Sequence, residues 1–233
     1  MTPPRSRREQ QQLTRDALIR AGRVVFARDG YHQANLTLIA TEAGYSKGAV
    51  YSNFDSKADL FLAMLEENID VSLGDGAWDP FGSQAPDGCS ADLPDEQEEV
   101  AGLIRGLSLA TLEFIATAAR DESLVAQLAT RLDVLVEGYA AIVDPSQSEH
   151  QGLLPEEVGA LLAALDQGAA LLTLSGSRVI DQRILREGMR RLLTPTEERE
   201  PAGQKGEPVL HDEVTRRRIA AAISLGRGVE AAE

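Results

Sequence analysis

One stretch of the chain, residues 36–60, constrains the fold more than any other. It reads LTLIATEAGYSKGAVYSNFDSKADL and contains two short segments of helical character on either side of Gly44. Asn35 precedes the first segment and is a good N-cap, and Gly44 supplies the turn. A helix, a glycine-containing turn of about three residues and a second helix make the layout of a helix-turn-helix. Any αα-hairpin has similar spacing, so the residue types must distinguish the two.

The second segment, residues 47–54, has a small and polar outer face. Ser46 can cap this helix or contact a phosphate, and Lys47 extends outward beside two small residues that let the backbone approach a surface closely. Val50 and Phe54 lie four residues apart and are expected to face the core. A short helix with this division suits a recognition helix that lies in a major groove of DNA.

Helical periodicity also runs through the rest of the chain, which predicts an all-α fold. The residues before Leu13 are interpreted as an irregular, basic arm. Glycine and proline are concentrated between Leu73 and Pro94, which predicts a long loop. The remaining predicted helices are Leu13–Arg28 with a stop at Gly30, one that begins near Ser56, and segments at about 95–120, 123–143, 155–174 and 178–193.

Charge is distributed unevenly along the chain. The 233 residues carry a net charge of −14, which by itself argues against a nucleic-acid partner. Residues 1–60, however, contain nine Lys or Arg against six Asp or Glu and are +3, which leaves −17 on the remainder. This asymmetry is typical of modular DNA-binding proteins, although acidic proteins with a basic arm share it.

The sequence offers no recognisable catalytic or metal-binding motif. Three histidines, His32, His150 and His211, lie far apart, no glycine-rich phosphate loop is present, and Cys89 is the single cysteine. We therefore expect no enzymatic activity, no metal and no cofactor. The basic start lacks an apolar segment typical of a secretory signal, and no uncharged apolar run approaches the ~20 residues of a membrane span. A cytoplasmic protein without a membrane partner is expected.

Residues 13–65 contain a set of short motifs at fixed spacing. These are Phe26-Ala27, Gly30-Tyr31, Ile39-Ala40, Ala43-Gly44, Ser46-Lys47-Gly48, Val50-Tyr51, Phe54 and Lys57. By these motifs, residues 13–65 resemble the tetracycline-repressor-like (TetR) family of bacterial transcriptional regulators. Two departures from the family pattern concern charge and polarity: Asp55 stands where a basic or neutral residue is typical, and Asn53 replaces a common histidine.

The resemblance implies double-stranded DNA as a partner and a role for each outer residue of the helix-turn-helix. Phosphate contacts set the register of such a domain on DNA, and base contacts read the sequence. By resemblance, phosphate contacts come from Thr37, Ser46, Tyr51, Asn53 and Lys57, and base-edge contacts from Lys47, Gly48, Ala49 and Ser52.

The predicted helix at 155–174 is apolar on most of its sides. A helix of this kind is buried on most of its sides, so one part is expected to face the domain core and another a partner. Together with a second apolar stripe on 178–193, the helix at 155–174 predicts the four-helix interface of a homodimer. The resemblance implies the same arrangement, because this is how the family usually dimerises. A purely intramolecular core is the alternative. The predicted interface residues are Val158, Leu161, Leu162, Leu165, Ala169, Leu172, Ile184, Gly188 and Leu192.

The C-terminal helices are also predicted to hold a small, largely apolar effector of unknown identity. The predicted organisation is a helix-turn-helix DNA-binding domain at 1–65, a helical effector-binding and dimerisation domain at 66–194, and a tail at 195–233 with one short helix. This indicates a sequence-specific repressor that binds an inverted-repeat operator and is released by its effector. The alternatives are a ligand-independent, DNA-binding architectural protein and a small-molecule-binding module with a decayed DNA-binding domain. The predicted pocket residues are Met64, Ile104, Leu107, Phe114 and Tyr139.

Overall fold

The computed structural model describes residues 6–73, 94–146, 148 and 152–194. These residues form helices and connecting turns with no β-strand among them, which confirms the predicted all-α fold. Most of the predicted 73–94 loop and the 195–233 tail lie outside the described residues. The helices are α1 (Arg7–Gln33), α2 (Leu36–Glu42), α3 (Lys47–Tyr51), α4 (Lys57–Leu73), α5 (Pro94–Ala118), α6 (Glu122–Ala140), α7 (Pro155–Leu174) and α8 (Gln182–Leu193).

The beginning of α1 corrects the prediction of an irregular arm before Leu13. Ser6 Oγ accepts a hydrogen bond from Glu9 N at 3.2 Å, and Ser6 N donates to Glu9 Oε2 at 2.8 Å. This reciprocal capping box satisfies two backbone donors that would otherwise be left without partners, so the helix begins at Arg7. Arg7 and Arg8 therefore lie on a helix.

A cluster of aromatic rings forms the centre of the N-terminal core. The ring centroids of Phe26 and Phe61 are 4.8 Å apart, those of Phe61 and Phe114 are 4.7 Å apart, and those of Tyr31 and Phe114 are 5.0 Å apart. All four side chains are buried. Because Phe114 belongs to α5, the core of the helix-turn-helix domain continues into the helix that follows it.

Helix α5 also approaches α1 closely through its backbone. A Cβ atom at Gly106 would collide with the carbonyl oxygen of Ala27. Further along, α1 kinks at Gly30, where φ is 76°, and the Glu113 carboxylate of α5 accepts a hydrogen bond from His32 N at 3.0 Å. Helix α5 thus holds the C-terminal third of α1.

A second and smaller core lies where α6, α7 and α8 meet. Gly159 allows α6 and α7 to pack closely, since a Cβ there would lie 2.8 Å from Ala140 N. Helix α8 begins at Gln182, four residues after the predicted start, because Asp181 caps it and accepts from Ile184 N at 2.7 Å. The buried residues of this core are Tyr139, Val143, Val158, Leu162, Ala163 and Met189.

Two segments are long and apolar enough to cross a membrane by length and composition, Ala101–Ala118 in α5 and Pro155–Leu174 in α7. Neither segment is uncharged, so the expectation that no uncharged apolar run approaches the length of a membrane span is unaffected. Both contain charged residues, Arg105 and Glu113 in α5 and Glu156, Glu157 and Asp166 in α7, and both pack against other helices of the chain. Core helices of soluble proteins pass the same test, so it is weak evidence for a membrane.

Candidate DNA-binding surface and effector cavity

The helix-turn-helix is fixed by caps at the beginning of each short helix. Asn35 Oδ1 accepts from Thr37 N and from the next backbone amide, both at 3.0 Å, which confirms it as the N-cap of α2. Gly44 has φ of 70° in the turn. Ser46 Oγ accepts from Ala49 N at 3.2 Å and caps α3. Such caps matter most in helices of five and seven residues, which are too short to be stable alone.

The inner face of the motif is anchored in the core. Ile39 and Ala40 of α2 are buried, as are Val50 of α3 and Phe54 just beyond it. The prediction that Val50 and Phe54 face the core is therefore confirmed. Since these side chains hold α3 against α1 and α2, the opposite face of α3 is presented to solvent.

The outer face presents the small and polar residues proposed to contact DNA. Tyr51 is 53% exposed, and Lys47 Nζ lies 5.9 Å from the centroid of its ring. The motif places these groups on one surface, and their contacts with phosphates and bases remain predictions. Exposed members are Thr37, Ser46, Lys47, Gly48, Tyr51 and Ser52, and half-buried members are Ala49 and Asn53.

Lys57, for which the resemblance implies a phosphate contact, makes its hydrogen bonds within the protein when no DNA is bound. Its Nζ donates to the carbonyl oxygens of Tyr31 at 2.6 Å, His32 at 3.1 Å and Ala34 at 3.0 Å. It also lies 4.4 Å from the centroid of the Tyr31 ring. Burial lowers the pKa of Lys57, and the nearby Glu113 carboxylate opposes that shift. Because its three N–H groups all donate to carbonyl oxygens at the end of α1, Lys57 stabilises the contact between α4 and the end of α1 in the free chain.

A polar groove beside α3 was missed by the sequence interpretation. Its volume is about 210 Å³, and the early turns of α1 form one wall. Arg15 Nη1 donates to the carbonyl oxygen of Asn53 at 2.9 Å, and its guanidinium lies 4.3 Å from the Phe54 ring centroid. The Ser6 and Glu9 capping pattern could have placed this wall on a helix. The lining residues are Arg8, Gln11, Gln12, Arg15, Ser52 and Asn53.

A cavity of about 390 Å³ lies among α4, α5, α6, α7 and α8. Its apolar lining consists of Leu65, Ile69, Ile115, Leu128, Leu132, Leu135, Leu185 and Met189, and its polar lining of Asn68, Thr111, Arg131, Tyr139, Asp166, Gln167 and Arg186.

Of the predicted pocket residues, Tyr139 lines this cavity and the other four lie elsewhere. Met64 and Phe114 are fully buried in the N-terminal core, and Leu107 packs against that core. Ile104 is 63% exposed. The prediction failed here because a helical stripe indicates burial but does not show which interhelical space a side chain fills.

The polar groups of the cavity differ in how well they are satisfied. Tyr139 and Asp166 form a hydrogen bond, and burial together with this carboxylate raises the pKa of the Tyr139 hydroxyl. Arg131 donates to the carbonyl oxygens of Leu62 at 3.2 Å and Gln127 at 2.9 Å. The Nε atom of Arg186 is buried and finds no hydrogen-bond partner among the residues that the structure describes.

The predicted dimer interface divides into two groups. Val158, Leu162 and Ala169 are buried within their own chain, and Val158 and Leu162 belong to the second core; this corrects their assignment. Leu192 also packs partly on the second core. The apolar surface of α7, defined by the exposed or half-buried Leu161, Ala164, Leu165, Gly168, Leu171 and Leu172, carries no charge, and Leu161 is 44% exposed. Ile184 of α8 is exposed as well, and Gly188 is half-buried.

In the described ranges, no group of three or more His, Cys, Asp and Glu is placed to hold a metal ion. The capped helix-turn-helix with its polar outer face, attached to a helical body with a cavity, defines the class of DNA-binding transcriptional regulators. The family model of the bacterial regulatory proteins of the tetR family matches residues 18–64. Residues 18–64 are therefore similar to the DNA-binding domain of this family, which supports a TetR-type DNA-binding transcriptional regulator.

Of three similar proteins, one matches many more residues than the N-terminal domain contains and two match a segment of about the size of that domain. The HTH-type transcriptional regulator YfiR of Bacillus subtilis is 24% identical over 154 residues, 65% of this chain and 75% of that protein. The transcriptional activator FasR of Mycolicibacterium smegmatis is 43% identical over 56 residues, and the transcriptional repressor BepR of Brucella suis is 40% identical over 52. These two matches span 24% and 22% of this chain and only 26% and 25% of the relatives.

Solved structures share the fold over most of the chain. A transcriptional regulator from Rhodococcus sp. RHA1 has a TM-score of 0.50 at 22% identity and covers 77% of this chain and 93% of its own. GusR of Salmonella enterica has a TM-score of 0.51 at 20% identity and covers 83% and 98%. At these identities the likeness establishes the fold of the helical body, not what the body binds.

Proposed function

We propose that the chain is a cytoplasmic, homodimeric repressor that binds an inverted-repeat operator and is released by a small, largely apolar effector. Residues 1–65 would contact DNA, and 66–194 would dimerise and hold the effector. The observation that carries the proposal is the cavity itself. Leu65, Asn68 and Ile69 of α4 line it, and α4 begins six residues after the end of α3.

This arrangement supports a mechanical link between effector and operator. A ligand that favours one position of α4 would move the beginning of that helix together with α3. In a dimer, such a movement changes the separation of the two recognition helices, which must match the spacing of the operator half-sites. A preference of about 1–3 kcal/mol between the two states is the usual scale of such coupling.

Dimerisation is supported by the apolar surface of α7. Its members recur at spacings of three and four residues, and Gly168 has open space around its Cα, so a second helix could approach it. An uncharged leucine surface of this length is unfavourable in water unless a partner covers it. A two-fold dimer would read two half-sites, which is why an inverted repeat is expected.

The operator sequence is tested by selecting bound sequences from a random DNA pool with the full-length chain. The oligomeric state of the protein is measured by light scattering on the same sample. We expect a dimer on an inverted repeat. Leu165→Glu should give a monomer whose operator affinity is reduced at least about tenfold, because dimerisation would bury an unpaired carboxylate. Val125→Glu is the matched control: Val125 is 42% exposed, close to the 40% of Leu165, and belongs to α6. A wild-type monomer bound to a single half-site would overturn the proposal.

Effector control is tested by thermal-shift screening, followed by operator-release assays on each compound that stabilises the chain. Compounds with a large apolar body should both stabilise the protein and release DNA. If stabilising compounds leave operator binding unchanged, the ligand-independent alternative is favoured.

A further inference from the structure

We infer that the ligand of the cavity among α4–α8 has an apolar body and one carboxylate, which Arg186 binds. This inference rests on the proposal that the cavity is the effector site, and it specifies the chemical class of that effector. Arg186 lies on α8 between Leu185 and Met189, and all three residues line the cavity.

The first argument is the unsatisfied donor. Arg186 Nε is buried and has no hydrogen-bond acceptor among the described residues, and the described ion pairs do not include its guanidinium. Buried polar groups in native proteins are nearly always paired, because leaving a donor without an acceptor is unfavourable. A donor left in this state beside a cavity indicates that a molecule in the cavity supplies the acceptor.

The second argument is the contrast with the other charged groups of the cavity. Arg131 already donates to two backbone carbonyl oxygens, and its Nη2 lies 3.5 Å from a carboxylate oxygen of Glu66. Asp166 is engaged with the hydroxyl of Tyr139. Arg186 is therefore the cation of the described lining that is available to a ligand. A guanidinium presents paired N–H groups that match the two oxygens of a carboxylate.

The third argument is the size and polarity of the rest of the space. Eight leucine, isoleucine and methionine side chains line it, so the body of the ligand must be apolar. At the roughly 30 Å³ that a water molecule occupies in the liquid, a cavity of about 390 Å³ accommodates about 13 heavy atoms. Asp166 contributes a negative charge, which favours a singly charged head group over a phosphate dianion.

The experiment compares two probes that differ only in the head group. Decanoate and decanamide have equal numbers of heavy atoms and the same chain, and they fit the estimated size. By titration calorimetry, we expect wild-type protein to bind decanoate at least about tenfold more tightly than decanamide. Arg186→Gln should abolish most of this preference and leave decanamide affinity unchanged. Arg183→Gln is the control, since Arg183 is an exposed residue of the same helix.

A second measurement separates binding from folding. If Arg186 lacks a partner in the free protein, Arg186→Met should melt at the same temperature as wild type or higher, because it removes an unsatisfied buried donor and keeps an unbranched side chain. A lower melting temperature of the free variant would mean that Arg186 is already paired, and would overturn the inference. So would failure of decanoate to bind, an unchanged preference in Arg186→Gln, or tighter binding of decylphosphonate than of decanoate.

The inference and the proposed function can fail separately. If decanoate binds through Arg186 but does not release operator DNA, effector control is wrong and the carboxylate site stands. If neutral apolar compounds release the operator and show no dependence on Arg186, the repressor proposal stands and the carboxylate inference is wrong.

Discussion

The N-terminal and C-terminal cores of this chain differ in how completely they bury their apolar side chains. The N-terminal core encloses four stacked and edge-on aromatic rings and leaves a polar surface on α3. The C-terminal core has six buried residues, and beside it lie a cavity and the uncovered leucine surface of α7. Among the described residues, the first core is closed by its own side chains, whereas the second borders a cavity and an exposed apolar helix face, which are the two features on which the proposed effector site and dimer interface rest.

The largest expected difference between the two regions is in the response to truncation of a side chain. Phe61→Ala should reduce the free energy of unfolding by about 3–5 kcal/mol, because Phe61 is fully buried between two other rings. Leu132→Ala in the cavity wall should lose only about 1 kcal/mol, since this side chain is already 42% exposed. Urea unfolding of both variants measures the two losses. Equal losses would show that the second core is as tightly packed as the first.

A second comparison concerns two lysines of the helix-turn-helix region. Lys57→Met should lower the free energy of unfolding by about 1.5–3 kcal/mol, because three carbonyl oxygens lose a charged donor. Lys47→Met should leave stability within about 0.5 kcal/mol of wild type, since Lys47 is exposed, but should change the preferred DNA sequence. Thermal unfolding and selection from a random DNA pool test the pair. If Lys57→Met is as stable as wild type and weakens binding to all DNA sequences equally, the phosphate role implied by resemblance is correct after all.

The parts that could be predicted from the sequence are those that depend on neighbours along the chain. The Asn35 cap, the turn at Gly44 and the inward positions of Val50 and Phe54 all follow from spacings of four residues or fewer. The Ser6 capping box is equally local, since Ser6 and Glu9 are three residues apart, so the beginning of α1 at Arg7 is also predictable from the sequence.

The parts that could not be predicted depend on which helices meet. Lys57 and Tyr31 are 26 residues apart, and Glu113 and His32 are 81 apart, so neither contact has a local pattern. For the same reason, the sequence does not distinguish Leu161, which is exposed, from Leu162, which is buried. The sequence of a helix that is apolar on most sides does not show which side packs against the rest of its own chain.

The smallest effect tests the junction through which the helical body holds the DNA-binding region. Gly106→Ala should lower the free energy of unfolding by about 1–3 kcal/mol, because its Cβ collides with the backbone of Ala27 and α1 must move away from α5. Gly102→Ala lies one turn earlier on the same helix, where a Cβ meets nothing within 4 Å, and should raise stability by about 0.5–1 kcal/mol. The opposite signs separate the steric effect from helix propensity, which is the same for both substitutions. The operator affinity of Gly106→Ala then shows whether the position of α1 on α5 determines the position of α3. An affinity equal to that of wild type would show that the packing of α1 on α5 does not affect DNA binding, although the two regions share a core.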